Sequence, residues 1–339
     1  MKIPKAEHRG NLWRIQLNID GQRHVVTAAD EAECIAKAAA LKAGLVPDSG
    51  GSKRTLSECV EGYILRKSNV LSPSTIRGYR ILQRNRFTDL MPMPVRKITK
   101  PMLQAAVNRE ALLCSPKTLK NAVGLILAAM ADETGTRYTI TTPQAVVKEH
   151  PFLSPDQVPL FLEAIKGSSI EVPCLMGLWS LRCSEILGLR WQDIDLTHGL
   201  IHVNGACVPD ETGALVRKDS TKNKTSRRAV PICDRLAELL RPLAEGKDAD
   251  APVVTITPLG LRKHINAICQ RNDLPLIGVH GLRHSFISVG YLAGVPVTVL
   301  QELGGWSNDA TIKKHYLHIA QADKTRYQNS MLDKFSSLF

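Results

Sequence analysis

The order of its secondary-structure signals constrains the fold of this 339-residue chain more than any other feature. Residues 12–19 alternate apolar and polar side chains at the period of a strand, and Asp20-Gly21 is a hairpin turn signal. Residues 22–27 can return as the partner strand, and the Ala-rich stretch 28–45 favours a helix. We therefore expect a small β-then-α module over residues 1–50.

After a Gly- and Ser-containing linker at 47–52, residues 54–134 favour four short helices. The first begins with a capping box, which pairs Thr55 with Glu58. The others begin with proline near the first helical position, at Ser72-Pro73, Thr99-Lys100-Pro101 and Ser115-Pro116. The apolar stripe of the fourth helix should face a core, and it consists of Leu119, Val123, Ile126, Leu127 and Met130. These signals predict a helical bundle.

Positive charge is concentrated in this helical segment. The chain has a net charge of +12, and residues 51–150 hold 16 basic against 7 acidic side chains, whereas residues 151–339 hold 21 against 19. Such an excess favours a polyanionic partner, and a bundle with basic faces could grip a DNA backbone. A plain bundle with a solvated, charged surface explains the same composition, so charge alone leaves both interpretations open.

A third and larger domain is expected over residues 150–339, because the chain is too long for one core. Helix signals begin at Ser154-Pro155, a β-rich stretch covers about 199–232, and helices follow. The eight cysteines include no C-x-x-C pair, which is typical of reduced thiols and not of a disulfide frame or a zinc site. With no apolar leader and no membrane-length apolar run, we expect a cytoplasmic protein without a membrane partner.

Four motifs in this domain carry chemistry. The first places Arg182 at the edge of an apolar helix, with Glu185 on the same helical face. An arginine in such a place indicates ion pairing or anion binding, and taken alone a structural pair with Glu185 explains it. The second motif is the basic turn 218–228, which the flanking strand signals predict to be the tip of a β-hairpin. Its side chains could contact phosphate or only solvent.

The third motif places His280, Arg283 and His284 on one helical face. Two histidines at this spacing can bind zinc, but no glutamate lies between them and Arg283 would repel a cation, so an anion fits better. The fourth motif contains Trp306 and Tyr316, which are ordinary core residues when taken separately. Taken together, the four motifs can surround a phosphodiester with hydrogen-bond donors and present an oxygen nucleophile to it.

The order of these groups resembles the tyrosine recombinase, or phage integrase, family. The family's catalytic residues are matched in chain order by Arg182, Lys222, His280, Arg283, Trp306 and Tyr316. The catalytic resemblance covers residues 153–325, while residues 54–134 resemble the core-binding domain and residues 10–45 the small arm-type DNA-binding domain. The family implies a multidomain α+β fold. It comprises a mainly helical catalytic domain with a small antiparallel sheet, a helical-bundle core-binding domain and a small β-α arm-binding domain.

The resemblance implies a role for each matched residue. Arg182 and Arg283 hold the non-bridging oxygens of the scissile phosphate, and Tyr316 attacks the phosphorus. Lys222 protonates the leaving oxygen, although Lys224 is a rival for this role.

His280 accepts or shares the proton of the tyrosine, and Trp306 packs on the site and donates its N–H. Glu185 and His284 are supporting residues. Two features depart from the family pattern: Ser180 stands where glycine commonly precedes Leu-Arg, and the spacing from Trp306 to Tyr316 is one residue longer than usual.

The implied reaction is transesterification through a 3′-phosphotyrosyl intermediate, with no metal and no other cofactor. Its partners are double-stranded DNA at attachment sites, further copies of the chain in a homo-tetramer, and an excisionase or a DNA-bending host factor. The outcome is integration, and with accessory factors excision, of a phage or another mobile element. Apolar residues in 330–339 are expected to dock on a neighbouring protomer or to pack on their own domain.

Three other functions use parts of this pattern. A type IB topoisomerase shares the catalytic groups, but the N-terminal module and the helical segment argue against it. A DNA-binding regulator with an inactive site should lack the nucleophile or an arginine, and the sequence contains both. A metal-dependent nuclease needs paired carboxylates near the histidines and would stop working in EDTA.

Overall fold

The computed structural model of the protein describes residues 3–19, 22–43, 53–144, 151–218, 227–306, 312–313 and 324–338. The chain divides into two compact units, residues 1–147 with 209–214 and the remainder. Helices are combined with small antiparallel sheets, as expected for an α+β chain. The division into three domains stays a prediction.

The N-terminal residues form a three-stranded antiparallel sheet with one helix packed against it. Its elements are β1 (Glu7–Arg9), β2 (Leu12–Ile19), β3 (Gln22–Ala28) and α1 (Glu31–Lys42). The alternation in β2 buries Ile15 and Leu17, which pack with Cys34 of α1. The helix begins three residues later than predicted because the Asp30 side chain caps it. The Asp20-Gly21 turn and the linker at 47–52 lie outside the described residues.

The next segment forms the four predicted helices, α2 (Leu56–Lys67), α3 (Pro73–Asn85), α4 (Lys100–Glu110) and α5 (Pro116–Thr134). The capping box of α2 is confirmed, since Thr55 and Glu58 bond each other's backbone N–H groups at 2.7 and 3.2 Å. The stripe on α5 is confirmed as part of the core, with Leu127 only partly buried. Gly135 ends α5 in the left-handed conformation, with φ 73°.

The second unit is mainly helical. Its helices are α6 (Gln157–Ile165), α7 (Glu171–Leu178), α8 (Cys183–Gly188), α9 (Asp234–Ala244), α10 (Pro258–Arg271), α11 (Val279–Leu292), α12 (Val297–Gly304) and α13 (Lys324–Ser336). Its strands are β4 (Ile194–Asp195), β5 (Leu200–Val203), β6 (Ala206–Pro209), β7 (Leu215–Lys218) and β8 (Arg228–Pro231). Helix α11 is buried along most of its length and packs on α7, where Gly177 leaves room for Leu282. This central helix carries three of the candidate site residues.

The predicted hairpin around the basic turn is wrong in its pairing. Strand β7 pairs with β6, and β8 pairs with β5 in the sheet β4-β5-β8. The register places Ile201 and Val203 of β5 beside Val230 and Arg228 of β8, so burial of the shared apolar face selects a partner distant in sequence. Residues 219–226 lie outside the described residues.

Helix α13 leaves its apolar side chains exposed on this chain. They are Met331, Leu332, Phe335 and, just after the helix, Leu338. Packing of these side chains on their own domain is therefore not observed. The eight cysteines are all free. Among the described residues, no helix is long and apolar enough to cross a membrane.

Candidate active site

The chain between α7 and α8 forms a tight turn, whereas the sequence predicted Arg182 and Glu185 on one face of a helix. Ser180 adopts a left-handed backbone conformation with φ 71°, and Arg182 is the extended residue that precedes α8. Left-handed backbone is unfavourable for a residue with a Cβ, which is the physical reason why glycine suits this position.

Glu185 fixes the position of Arg182 from the first turn of α8. Its Oε2 accepts the backbone N–H of Arg182 at 2.9 Å, and its Oε1 accepts Nη1 at 2.5 Å. The Nη2 of Arg182 donates to the carbonyl oxygen of Gly305 at 2.9 Å. The Arg182 side chain is 38% exposed, so it is held in place and still accessible to a ligand.

Arg283 reaches the same carbonyl group from α11. It is almost completely buried, donates to the carbonyl oxygen of Ser180, and approaches Gly305 O at 3.4 Å. Burial, with the nearby guanidinium of Arg182, lowers the pKa of Arg283 to about 9. The group remains a cation at neutral pH, and an anion beside it would offset part of the cost of its burial.

Arg228 is a member of this cluster that sequence reasoning missed. It was grouped with the basic turn, but β8 places its guanidinium over Glu185, with Nη2 3.0 Å from Oε2 and Nη1 3.4 Å from Oε1. Its Nη2 also lies 3.3 Å from the Ser180 carbonyl oxygen. The signal available in the sequence was its place as the first residue of the alternating segment Arg-Ala-Val-Pro.

The indole ring of Trp306 lies against the guanidinium group of Arg283. The guanidinium carbon lies 4.0 Å from the centre of the indole ring, a cation–π contact, and Phe286 stacks beside the ring at 6.2 Å. A side chain at Gly304 would collide with the indole. Gly305 has φ 63°, and this conformation directs its carbonyl oxygen to Arg182 and Arg283.

The two histidines lie on α11, as predicted, and contact each other. The Nε2 atoms of His280 and His284 are 3.0 Å apart, with the rings edge to face. One Nε2 must donate and the other accept, so at least one imidazole is neutral and able to take up a proton. His280 is exposed, whereas His284 is buried.

Burial by itself would raise the pKa of Glu185, but Arg228 and then Arg182 outweigh it and hold the pKa below its ordinary value. Glu185 is therefore an anion shared by two guanidinium groups. Among the described residues, no group of three or more His, Cys, Asp or Glu side chains could hold a metal ion. The expected absence of a metal and of other cofactors stays a prediction.

The structure thus brings together Arg182, Glu185, Arg283 and Trp306, and it adds Arg228. Lys222, its rival Lys224 and the candidate nucleophile Tyr316 lie outside the described residues. Two guanidinium groups share the carboxylate of Glu185 and that of Arg283 lies beside them, which leaves a surplus of positive charge with one exposed member. Such a cluster can bind an oxyanion and stabilise charge that develops on it.

The model of the phage integrase family matches residues 151–323, which is more than half of the chain. The chain belongs to the phage integrase family. This integrase-family chain is 28% identical to a XerC-like tyrosine recombinase of Caldanaerobacter subterraneus over 60% of its own length and 59% of that protein. It is also 28% identical to the ICEBs1 integrase of Bacillus subtilis, over 48% of the chain and 46% of that integrase. The chain thus spans about half the length of the curated relatives that it matches.

Solved structures agree on the fold. The Tn1549 transposon integrase in complex with circular intermediate DNA superposes with a TM-score of 0.61 at 19% identity, over 81% of this chain and 100% of that one. A lambda integrase tetramer bound to a Holliday junction gives 0.52 at 16% identity, over 91% and 96%. The expected mixture of a mainly helical unit with small antiparallel sheets is confirmed.

Proposed function

We propose that the chain is a site-specific tyrosine recombinase that cuts and rejoins DNA strands through a covalent bond to Tyr316. The observation that carries this proposal is the cluster of Arg182, Arg228 and Arg283 around the single carboxylate of Glu185. A phosphodiester is the anion that family membership favours for this surplus charge. The roles assigned to individual residues below are parts of the same proposal.

The phenolic oxygen of Tyr316 attacks the scissile phosphorus, and the bond from phosphorus to the 5′-oxygen breaks. The product is a 3′-phosphotyrosyl bond with a free 5′-hydroxyl, so the phosphoester is conserved for rejoining. Arg182, with Arg283 behind it, stabilises the negative charge that builds up on the non-bridging oxygens. A 5′-hydroxyl from the partner duplex reverses the step and releases Tyr316.

Two proton transfers accompany the cleavage. A free phenol has a pKa of about 10, so its proton must pass to a base, and the pair of His280 with His284 contains a neutral imidazole for this purpose. Lys222, or Lys224, gives a proton to the leaving 5′-oxygen. Trp306 keeps the Arg283 guanidinium in place and donates its indole N–H to the phosphate. None of these steps uses a metal ion.

The partner is double-stranded DNA at attachment sites, where the helices of residues 54–134 grip the backbone and residues 1–50 bind arm-type sites. Homo-tetramer formation is part of the proposal, and the exposed apolar side chains of α13 support docking on a neighbouring protomer. The Tn1549 integrase in complex with circular intermediate DNA supports the DNA partner, and the lambda integrase tetramer on a Holliday junction supports the tetramer. The outcome is integration of a phage or mobile element, with an excisionase or a DNA-bending host factor for excision.

Trapping of the covalent intermediate tests this function. Nicked suicide duplexes tiled across the DNA that flanks the gene are incubated in EDTA with the wild type and with Tyr316→Phe, and products are resolved on a denaturing protein gel. We expect a protease-sensitive protein–DNA band for the wild type alone. Equal bands for both proteins would assign the nucleophile to another residue. No band and no cleavage on a duplex that both proteins bind would favour the DNA-binding regulator. Cleavage without a covalent band, present with Mg²⁺ and lost in EDTA, would favour a metal-dependent nuclease.

A further inference from the structure

The structure places one more guanidinium in the active site than the family resemblance assigned. We infer that Arg228 is a positioning residue, which shares the carboxylate of Glu185 with Arg182 and thereby sets both the orientation and the effective charge of Arg182. The inference rests on the proposed function, since it concerns how Arg182 meets a scissile phosphate.

The contacts show a carboxylate that is shared by two cations. Oε1 of Glu185 accepts from Nη1 of Arg182 at 2.5 Å and from Nη1 of Arg228 at 3.4 Å. Oε2 accepts the Arg182 backbone N–H at 2.9 Å and Nη2 of Arg228 at 3.0 Å. Both oxygens therefore have a donor from each arginine, and the loss of Arg228 leaves one side of the carboxylate open.

Burial separates the roles of the two arginines. The side chains of Arg228 and Glu185 are 9% and 3% exposed, whereas that of Arg182 is 38% exposed. Arg228 is enclosed between Glu185, the Ser180 carbonyl group and the backbone of Gly305. A ligand can reach Arg182 but not Arg228, so Arg228 acts on the reaction through Glu185.

The effect of Arg228 on charge follows from this arrangement. If Arg182 alone faced Glu185, the two charges would cancel and the pair would attract a phosphate only weakly. With Arg228 present, Glu185 is already balanced, and the charge of Arg182 remains available to an anion. Because the cluster is largely buried, water screens this difference less than it would at the surface.

Arg228 also keeps Glu185 ionised. Burial raises the pKa of Glu185, and Arg228 is the strongest of the influences that lower it again. The charged groups around this carboxylate are Arg182 before α8, Arg228 on β8 and Arg283 on α11. Without Arg228 the pKa of Glu185 should rise, and a protonated Glu185 would no longer orient Arg182. A variant without the Arg228 guanidinium should therefore lose activity as the pH falls, over a pH range in which the wild type stays active.

The test compares Arg228→Gln with a matched control, Arg217→Gln. Arg217 is also a mostly buried arginine, and it pairs with the buried carboxylate of Asp193 at 3.2 Å. It lies on β7, so Arg217 and Arg228 are on the strands that precede and follow residues 219–226. Any effect that reaches the site through that segment would be shared by both variants.

Covalent-complex formation is measured under single-turnover conditions on the suicide duplex that the wild type cleaves, at several pH values, together with duplex affinity and thermal unfolding. For Arg228→Gln we expect a rate about 10- to 100-fold lower, by analogy with the loss of a hydrogen-bonding partner behind a metal ligand. We also expect unchanged affinity and a new fall in rate toward acidic pH. Arg217→Gln should lose stability to a similar extent and keep the wild-type pH profile.

A second variant separates charge from folding. Arg228→Lys keeps the positive charge but cannot reach both oxygens of Glu185, so it should be slower than the wild type with a wild-type pH profile. A wild-type rate and pH profile in Arg228→Gln would overturn the inference, and so would the same rate loss and pH profile in Arg217→Gln. If the wild type itself forms no covalent complex, the proposed function fails instead, so the two failures are distinguishable.

Discussion

The arginines of the helical segment and those of the candidate active site differ in how carboxylates neutralise their charge. In the helical segment, five arginines have carboxylate partners that they do not share with one another: Arg54 with Glu133, Arg66 with Asp132, Arg80 with Glu61 and Glu211, Arg86 with Glu110, and Arg109 with Asp89. In the second unit, Arg182 and Arg228 share Glu185, and Arg283 lies beside them against backbone carbonyls.

The comparison teaches that net charge along the sequence does not locate the chemistry. Residues 51–150 carry most of the excess, but these five arginines each have a carboxylate partner, and pairs such as Arg66 with Asp132 lie at the surface, where salt and water screen them. Residues 151–339 are nearly balanced overall, and yet they contain an unbalanced cluster that is mostly buried. Buried surplus charge is the feature that a phosphate can use.

The largest expected effect on the cleavage rate comes from a substitution in the candidate active site. Arg182→Gln removes the exposed guanidinium and leaves Glu185 to Arg228 alone. Loss of one preorganised donor to developing negative charge typically slows a reaction about 10²- to 10³-fold. Single-turnover cleavage of the suicide duplex measures it. A rate close to that of the wild type would mean that the arginines around Glu185 do not bind the phosphate that reacts.

A smaller effect is expected from Gly304→Ala, which adds a methyl group where the Trp306 ring lies. The ring must move off Arg283, and overpacking of this kind typically costs about 1–3 kcal/mol in the free energy of unfolding. Thermal unfolding and the cleavage rate should both fall. Gly278→Ala is the matched control, because its nearest contact is an ordinary 3.6 Å to Arg262. Equal effects of the two substitutions would show that Trp306 is not held against Gly304.

The smallest effect is expected from Arg66→Gln in the helical segment. Arg66 and its partner Asp132 are both exposed, and such pairs contribute about 0–1 kcal/mol to stability. Thermal unfolding should change little, and the cleavage rate at saturating protein should match that of the wild type. A large loss of cleavage would mean that paired surface arginines contribute as much as the buried cluster, which would remove the distinction drawn between the two regions.

Local signals predicted the elements well because each depends on neighbouring residues. The capping box at Thr55, the proline-led helices and the alternation in β2 are of this kind. The candidate site residues Arg182, Arg283 and Trp306 were predicted from their residue types in order along the chain. The structure brings the two arginines to the Gly305 carbonyl group and stacks Trp306 on Arg283.

Sequence reasoning failed where distant residues decide the outcome. Ser180 is polar and ordinary in sequence, and its neighbours along the chain did not indicate that it adopts a left-handed conformation between α7 and α8. The partner of β8 is β5 and not β7, because burial in the core outweighs proximity along the chain. Arg228 was assigned to a basic turn because its contact with Glu185 spans 43 residues.

The central claim is that the arginine cluster presents a phosphodiester to Tyr316. The most direct measurement digests the trapped protein–DNA complex and identifies by mass spectrometry the peptide that carries the nucleotide. The account predicts a single modified peptide, with a 3′-phosphate esterified to Tyr316. A nucleotide on any other side chain, or attachment through a 5′-phosphate, would contradict it.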